Sequence, residues 1–279
     1  YSSLAGLDLL IVLGGDGTIL RTVRELEDFS IPLLSINRGT VGFMAEIALG
    51  EADVMLPRLL GGEGMIDERS LLDVVAYRGK KKLWSGKVLN EVVVSQGAIS
   101  RLIDLKTTVN GEPLTTFHAD GVIVSTPTGS TAYSLAAGGP IVHPQMRATI
   151  VTPINPHSFT QKPIVLPAEQ TIDITIVTKK NKFSDVQVSM TLDGQTYVSL
   201  KAGDRVQAEV CTQTVKFIRR KEDTFFETLR TKYGNGANVT VVKEALGLLG
   251  TPVGPVRLPG LPELNESERA ELSRVVAGW

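Results

Sequence analysis

"LDLLIVLGGDGTILRTVRELED", residues 7–28, decides how this chain is read. The apolar run at 7–13 is short and stops at two glycines, which predicts a buried strand. The stretch after Thr18 has apolar residues at helical spacing and charge on one side, which predicts a helix capped by Thr18. Strand, glycine loop and helix in that order open an α/β unit, whose ligands sit at strand ends. Gly14, Gly15 and Gly17 permit close backbone approach, so their N–H groups and the helix terminus suit a phosphate. A turn with no ligand uses the same glycines. The loop lacks the Gly-Lys pair of a standard P-loop, and its glycines do not make GxGxxG. Asp16 changes its chemistry. A carboxylate repels a phosphate oxygen beside it, yet it can accept a proton from an attacking hydroxyl or help arrange a divalent ion. It is a weak base toward a sugar hydroxyl, so late proton transfer is expected, with orientation and charge neutralisation carrying much of the catalysis.

Outward from that stretch, "IPLLSIN" at 31–37 predicts a second strand and "RGTVGF" at 38–43 a turn. Glycines in "NRGTVG" serve a turn or a ligand equally well. "EADVMLPRLL" at 51–60 predicts a helix limited by Pro57. The pattern changes near "GGEGMIDERS", after which "LLDVVAY", "KLWSGKVLNEVVV", "LIDLKTTV", "GVIVST", "QTIDITIV", "SDVQVSMTL" and "DRVQAEVCTQTVKFI" read as β segments. Several alternate with a two-residue period, and Gly, Asn and Pro separate them. "LDGQTYVSL" predicts a hairpin turning at Asp193-Gly194; Gln195 is a candidate ligand contact, although a β turn explains the stretch adequately. A helix is expected near "STAYSLAAGG", and a short one at the end, capped by Asn265 or Ser267. The fold class is thus an α/β N-terminal domain plus a predominantly β-sandwich-like second domain. The expected division is 1–65 for the α/β part, completed by part of 221–279, and 66–220 for the β-rich part.

The 29 basic and 30 acidic residues nearly cancel, so the chain has no overall basic excess for nucleic acid. "GKKK" and "KFIRRK" read as solvent-exposed charge, without interleaved aromatics. Trp84 and the Phe225–Phe226 pair are expected at domain or subunit boundaries. No apolar stretch is long enough to span a membrane. The chain begins at Tyr1 without methionine or a basic leader, so an earlier segment is expected to be missing. Cys211 is the single cysteine, which excludes an intrachain disulfide framework and a multi-cysteine zinc site. It is expected to pack in a strand. His118, His143 and His157 lack metal-ligand spacing, and the residues of any metal site are not identified.

Two further groups carry chemistry. Asn90 and Glu91 in "LNEVVV" offer acceptors and donors suited to sugar hydroxyls, although spacing alone favours a turn facing water. "HADGVIVSTPTGSTAYSLAAGGPIVHP" at 118–144 places Asp120 before a strand and Thr126, Thr128, Ser130 and Thr131 around Pro127 and Gly129. Such convergent polar groups are typical of pockets. Tyr133 adds a ring and a hydroxyl, or else packs in the core.

"LGGDGTIL", "LNEVVV" and "ADGVIVSTPTGSTAYSLAAGGPIVHP", in that order, resemble the NAD kinase family. "TPINPHSFTQKPIVLP" and "FFETLRTK" extend the resemblance over residues 7–233, and 234–279 matches weakly. The resemblance implies transfer of the γ-phosphate of ATP, or a phosphate of polyphosphate, to the adenosine 2′-hydroxyl of NAD. A divalent ion, Mg²⁺ or Mn²⁺, accompanies the donor. It implies a two-domain fold with nucleotide sites between the domains, a homodimer or homotetramer, and a cytoplasmic enzyme with no nucleic-acid or membrane partner. It assigns Asp16 as the proposed base, and Gly14, Gly15, Gly17 and Thr18 to the donor phosphates. Asp16, Gly17, Asn90, Glu91, Asp120, Thr128, Thr131, Ala132 and Tyr133 are assigned to NAD. His118 and Gln195 are weaker contacts without a catalytic part. Family members carry another strand and helix before the glycine loop, which here would precede Tyr1. Two other readings stay open: a catalytically silent NAD-binding regulatory module, and a related lipid kinase.

Overall fold

A computed structural model describes residues 6–38, 43–97, 102–177, 187–221, 224–229 and 266–276. The chain divides into two compact units, Tyr1–Lys221 and Glu222–Trp279. In the first, β1 (Leu10–Leu13), α1 (Asp16–Glu25), β2 (Leu33–Asn37), β3 (Ile47–Ala48) and α2 (Ala52–Arg58) form the α/β part. The strands β4 (Met65–Arg78), β5 (Lys81–Val88), β6 (Glu91–Gln96), β7 (Ile103–Val109), β8 (Glu112–Ala119) and β9 (Gly121–Ser125) follow. After a 3₁₀ turn at Thr128–Thr131 come α3 (Tyr133–Ala136), β10 (Ala148–Ile154), β11 (Ile164–Pro167), β12 (Ile172–Val177), β13 (Val188–Leu192), β14 (Thr196–Leu200) and β15 (Asp204–Arg219). The second unit contains α4 (Thr224–Leu229) and α5 (Glu266–Val276). Within α4 the Phe225 and Phe226 rings meet edge to face, 5.5 Å apart.

The alternating strands build two facing sheets. One runs β11-β10-β9-β6-β13-β14, and the other runs β1-β2-β15-β12-β7-β8, with β3 beside β2 and β4 between β15 and β5. Val92 and Val94, Val122 and Val124, and Met190 and Leu192 of the first sheet pack against Leu72 and Val74, Leu105, Ile172 and Ile174, and Val206 of the second. Burying each such side chain contributes about 1.5–3 kcal/mol, which is what closes the sandwich. Trp84 packs against this same core.

The α/β part joins the larger sheet directly. β15 pairs antiparallel with β4 from Asp204 to Arg219, with β12 near its start, and parallel with β2 at Phe217 opposite Leu33. α1 lays Ile19, Leu20 and Val23 on Val12 and Leu33, together with Leu71, Leu89, Val215 and Phe217. β2 is buried along its whole length, Ser35 and Asn37 included.

Several local expectations need correction. Among the described residues β1 is the outermost strand of its sheet: Val12 packs under α1, and Ile11 and Leu13 are 42% and 59% exposed. The cap of α1 is Gly15 without a side-chain bond, and Thr18 lies in the first turn; the helix starts three residues earlier than its apolar spacing shows. "KFIRRK" is no solvated patch: Arg219 is 9% exposed and pairs with Glu46 and Asp67, and Arg220 pairs with Glu46 and Glu51. Strands β8, β10 and β11 fall outside the runs singled out above. β10 is buried on both faces and contains Pro153, so it neither alternates nor looks like a strand. Its pairing with β11 ends at Val151, so the edge of β10 at Pro153 lies beyond that partner. Cys211 packs beside α1, as expected, and burial pushes its thiol up.

Candidate functional site

The glycine loop leaves β1 at the end of the sheet. The Gly14 N–H donates to the Ile36 carbonyl at 2.9 Å, so its contribution is to tie the loop to β2. Asp16 begins α1, where a negative group favours the positive helix end. Its carboxylate does not cap the helix. Instead it accepts the N–H groups of Phe43, at 3.1 Å, and Met44, at 3.3 Å. That segment is itself held: Ser35 Oγ donates to the Met44 carbonyl and accepts the Glu46 N–H. Asp16 is thus oriented from outside its own loop while remaining partly exposed.

Asn90 and Glu91 turn from β5 into β6. Each is only 6% exposed, which overturns the water-facing reading that spacing favours. The cause lies a hundred residues on. The buried Asp193 accepts the N–H groups of Leu89, Asn90 and Glu91 at 2.8–3.0 Å, fixing the turn beneath the hairpin of β13 and β14. Asn90 Oδ1 and Glu91 Oε2 are buried and accept no hydrogen bond from the described residues. Burial, then the nearby Asp193 charge, pushes Glu91 up to about 8. Burial also raises Asp193, but its three amide bonds favour the charged form.

The Thr126–Thr131 turn packs on the same place. Thr126 donates through its N–H to the Asn90 carbonyl and through Oγ1 to the Leu89 carbonyl. A Cβ at Gly129 would stand 2.2 Å from the Asn90 carbonyl oxygen, so this contact requires glycine. Thr128 is buried, and Arg69 Nη1 donates to its Oγ1 at 3.4 Å. Thr131 donates back to the Thr128 carbonyl, and Ala132 and Tyr133 follow on the rim. Tyr133 is 46% exposed, which rules out the core reading.

The two groups meet through Gln195. Its Nε2 donates to the Gly17 carbonyl at 2.7 Å, and its Oε1 accepts from Arg24 Nη1 at 2.9 Å. Asp120 does not join them. It precedes β9 whereas Thr126 follows it, a strand of about 17 Å. There Asn155 Nδ2 donates to Asp120 Oδ2 at 3.0 Å, and His118 pairs with Asp104 and meets the His157 ring.

Among the described residues no three His, Cys, Asp or Glu side chains gather as a metal cage. The residue reading missed Asp193, Arg69 and the Phe43–Met44 amides. In the sequence Asp193 reads as a turn residue, and neither its reach nor the other contacts leave a local pattern there.

The family described as the ATP-NAD kinase N-terminal domain matches residues 3–64, and the ATP-NAD kinase C-terminal domain matches 89–220. An NAD kinase of Geotalea daltonii is 43% identical over 81% of this chain and 78% of its own length. One of Sulfurimonas denitrificans is 38% identical over 81% and 76%. Among solved structures, yeast NADH kinase complexed with NADH superimposes with a TM-score of 0.76 at 29% identity, over 82% of this chain and 68% of that one. An Archaeoglobus fulgidus NAD kinase in complex with ATP gives 0.67 at 27%, over 81% and 82%.

Proposed function

The chain belongs to the NAD kinase family, and from that premise we propose that it phosphorylates the adenosine 2′-hydroxyl of NAD with ATP, or with polyphosphate, to form NADP. One observation carries the reading. The loop bearing Asp16 and the turn bearing Asn90 and Glu91 are fastened to the same short hairpin, through Gln195 and Asp193.

In this reading Asn90 and Glu91 receive the adenosine, whose hydroxyls and amino group suit the buried oxygens of that pair. Thr128, Thr131, Ala132 and Tyr133 line the acceptor. Asp120 serves its nicotinamide end, the length of β9 away. Gly15, Gly17 and Thr18 face the donor phosphates with the positive end of α1, and Gly14 shapes the loop. The acceptor O2′ attacks the γ-phosphorus, and the bond from that phosphorus to the β,γ-bridging oxygen breaks, leaving ADP. The hydroxyl proton passes to Asp16 as the new P–O bond forms, and Asp16 then releases it to water. The amides of Phe43 and Met44 hold the carboxylate for that transfer.

The donor set fits no resident metal cage, since Asp16 is the loop's lone carboxylate. A Mg²⁺ or Mn²⁺ ion would arrive on the donor phosphates and supply charge neutralisation there. We also assign a homodimer or homotetramer acting in the cytoplasm. Among the described residues no helix is long and apolar enough to cross a membrane.

The test is chromatography of NADP made by the purified chain from NAD, ATP and Mg²⁺. Asp16→Asn is expected to lower turnover about 10²–10⁴-fold while NAD still binds. NAD binding without any NADP, across donors and metals, would identify a silent binding module instead. Asp16→Asn turning over like the parent would remove Asp16 from its role.

A further inference from the structure

We propose that Gln195 is a positioning residue for the transfer, setting the glycine loop and its Asp16 against the turn that carries Asn90 and Glu91. This rests on the reading of Asp16 as the proton acceptor. Gln195 is exposed, yet its amide is committed in two directions. Nε2 donates to the Gly17 carbonyl, and Oε1 accepts from Arg24, which also reaches Thr196 Oγ1 at 3.4 Å. A carbonyl in the first turn of a helix has a second lone pair, so this bond fastens α1 without displacing its own ladder. Arg24, near the other end of α1, keeps the amide from rotating away.

The anchor behind Gln195 is rigid. Asp193 is 6% exposed, turns the hairpin at φ 48°, and holds three amides of the Leu89–Glu91 turn. Its own N–H donates to the Glu91 carbonyl, and the Gln195 N–H donates to the Leu192 carbonyl. Residues 193–195 therefore grip the acceptor turn with one side chain and the catalytic loop with the next but one. Gly17 adjoins Asp16, so freeing the Gly17 carbonyl lets the carboxylate drift. A displacement of about 1 Å costs on the order of 100-fold in rate.

The experiment compares the parent with Gln195→Met, which keeps the length without hydrogen bonds, and Gln195→Glu, which keeps the acceptor for Arg24 but cannot donate to Gly17. Both are expected to lose about 10- to 100-fold in kcat, with KM for NAD within about twofold of the parent. In both, amide exchange should quicken across residues 14–20 and stay unchanged across 88–92. Parental kcat in both variants would overturn the proposal. So would a raised KM with parental kcat, which marks direct contact with NAD, or equal loss of protection in both segments, which marks general loosening. If the parent makes no NADP, the functional reading falls, and the exchange comparison still decides whether Gln195 holds the loop.

Discussion

Glu91 binds its proton because of where the chain buries it. Its pKa stands at about 8, against an ordinary 4.5, so the folded state holds a proton that the unfolded chain releases. Such a group's contribution to stability is fully present below 4.5 and is lost as pH rises through about 8. The melting temperature is expected to fall across that window, and Glu91→Gln to flatten the fall and raise the melting temperature by a few degrees near pH 9. Asp193 and Glu46 are shifted upward by burial too, so the flattening is partial. Parallel melting curves for parent and variant across the window would show that Glu91 titrates elsewhere. This residue also marks a limit of local reading. Asp16 is legible because its glycines, the strand before and the helix after are neighbours in sequence. The burial of Asn90 and Glu91 is not legible, because Asp193 and Thr126 impose it from 103 and 36 residues beyond Asn90.

β4 and β15 carry a second long-range arrangement, made of charge. Asp67 and Arg69 share one face of β4, and Arg69 Nε donates to Asp67 Oδ2 at 2.6 Å. Arg219 lies 3.7 Å from the same carboxylate and 2.9 Å from Glu46, which is two residues beyond an amide that holds Asp16. At the far end Arg69 reaches Thr128. Burial pushes the Arg69 guanidinium down, and the hydrogen bond and charge of Asp67 oppose that shift. Asp67→Ala leaves two buried guanidiniums without that partner, and is expected to cost about 3–5 kcal/mol in urea unfolding. Asp67→Leu combined with Arg69→Met should recover part of the loss, since removing both charges leaves neither stranded. A double variant no more stable than Asp67→Ala would place the loss in packing. The strands themselves were legible from their two-residue period. The role of "KFIRRK" was not, because a run of charge looks the same in water as when it is paired with buried carboxylates.

At the scale of the first unit, one strand decides whether the α/β and β-rich parts act together. β15 is bonded to β4 along both halves, to β12 near its start and to β2 at Phe217. Its hydrogen bonds run from the β-rich strands β4 and β12 to β2 of the α/β part. Phe217 is 3% exposed, lies opposite Leu33 and packs with Ile19 and Val215 beneath α1. Were the parts independent, its truncation would loosen β1, β2 and α1 alone. Because the sheet is shared, Phe217→Ala is expected to lower the free energy of global opening by about 3–5 kcal/mol for both parts at once. Native-state amide exchange in low denaturant measures this directly. Slow amides of β2 and of β12 and β13 should converge on one opening energy in the parent and fall by the same amount in the variant. A fall confined to β2, with β12 and β13 unmoved, would mean that the Asp16 loop rides on a separately folding element. Its registration against Asn90 and Glu91 would then depend on the hairpin contacts alone.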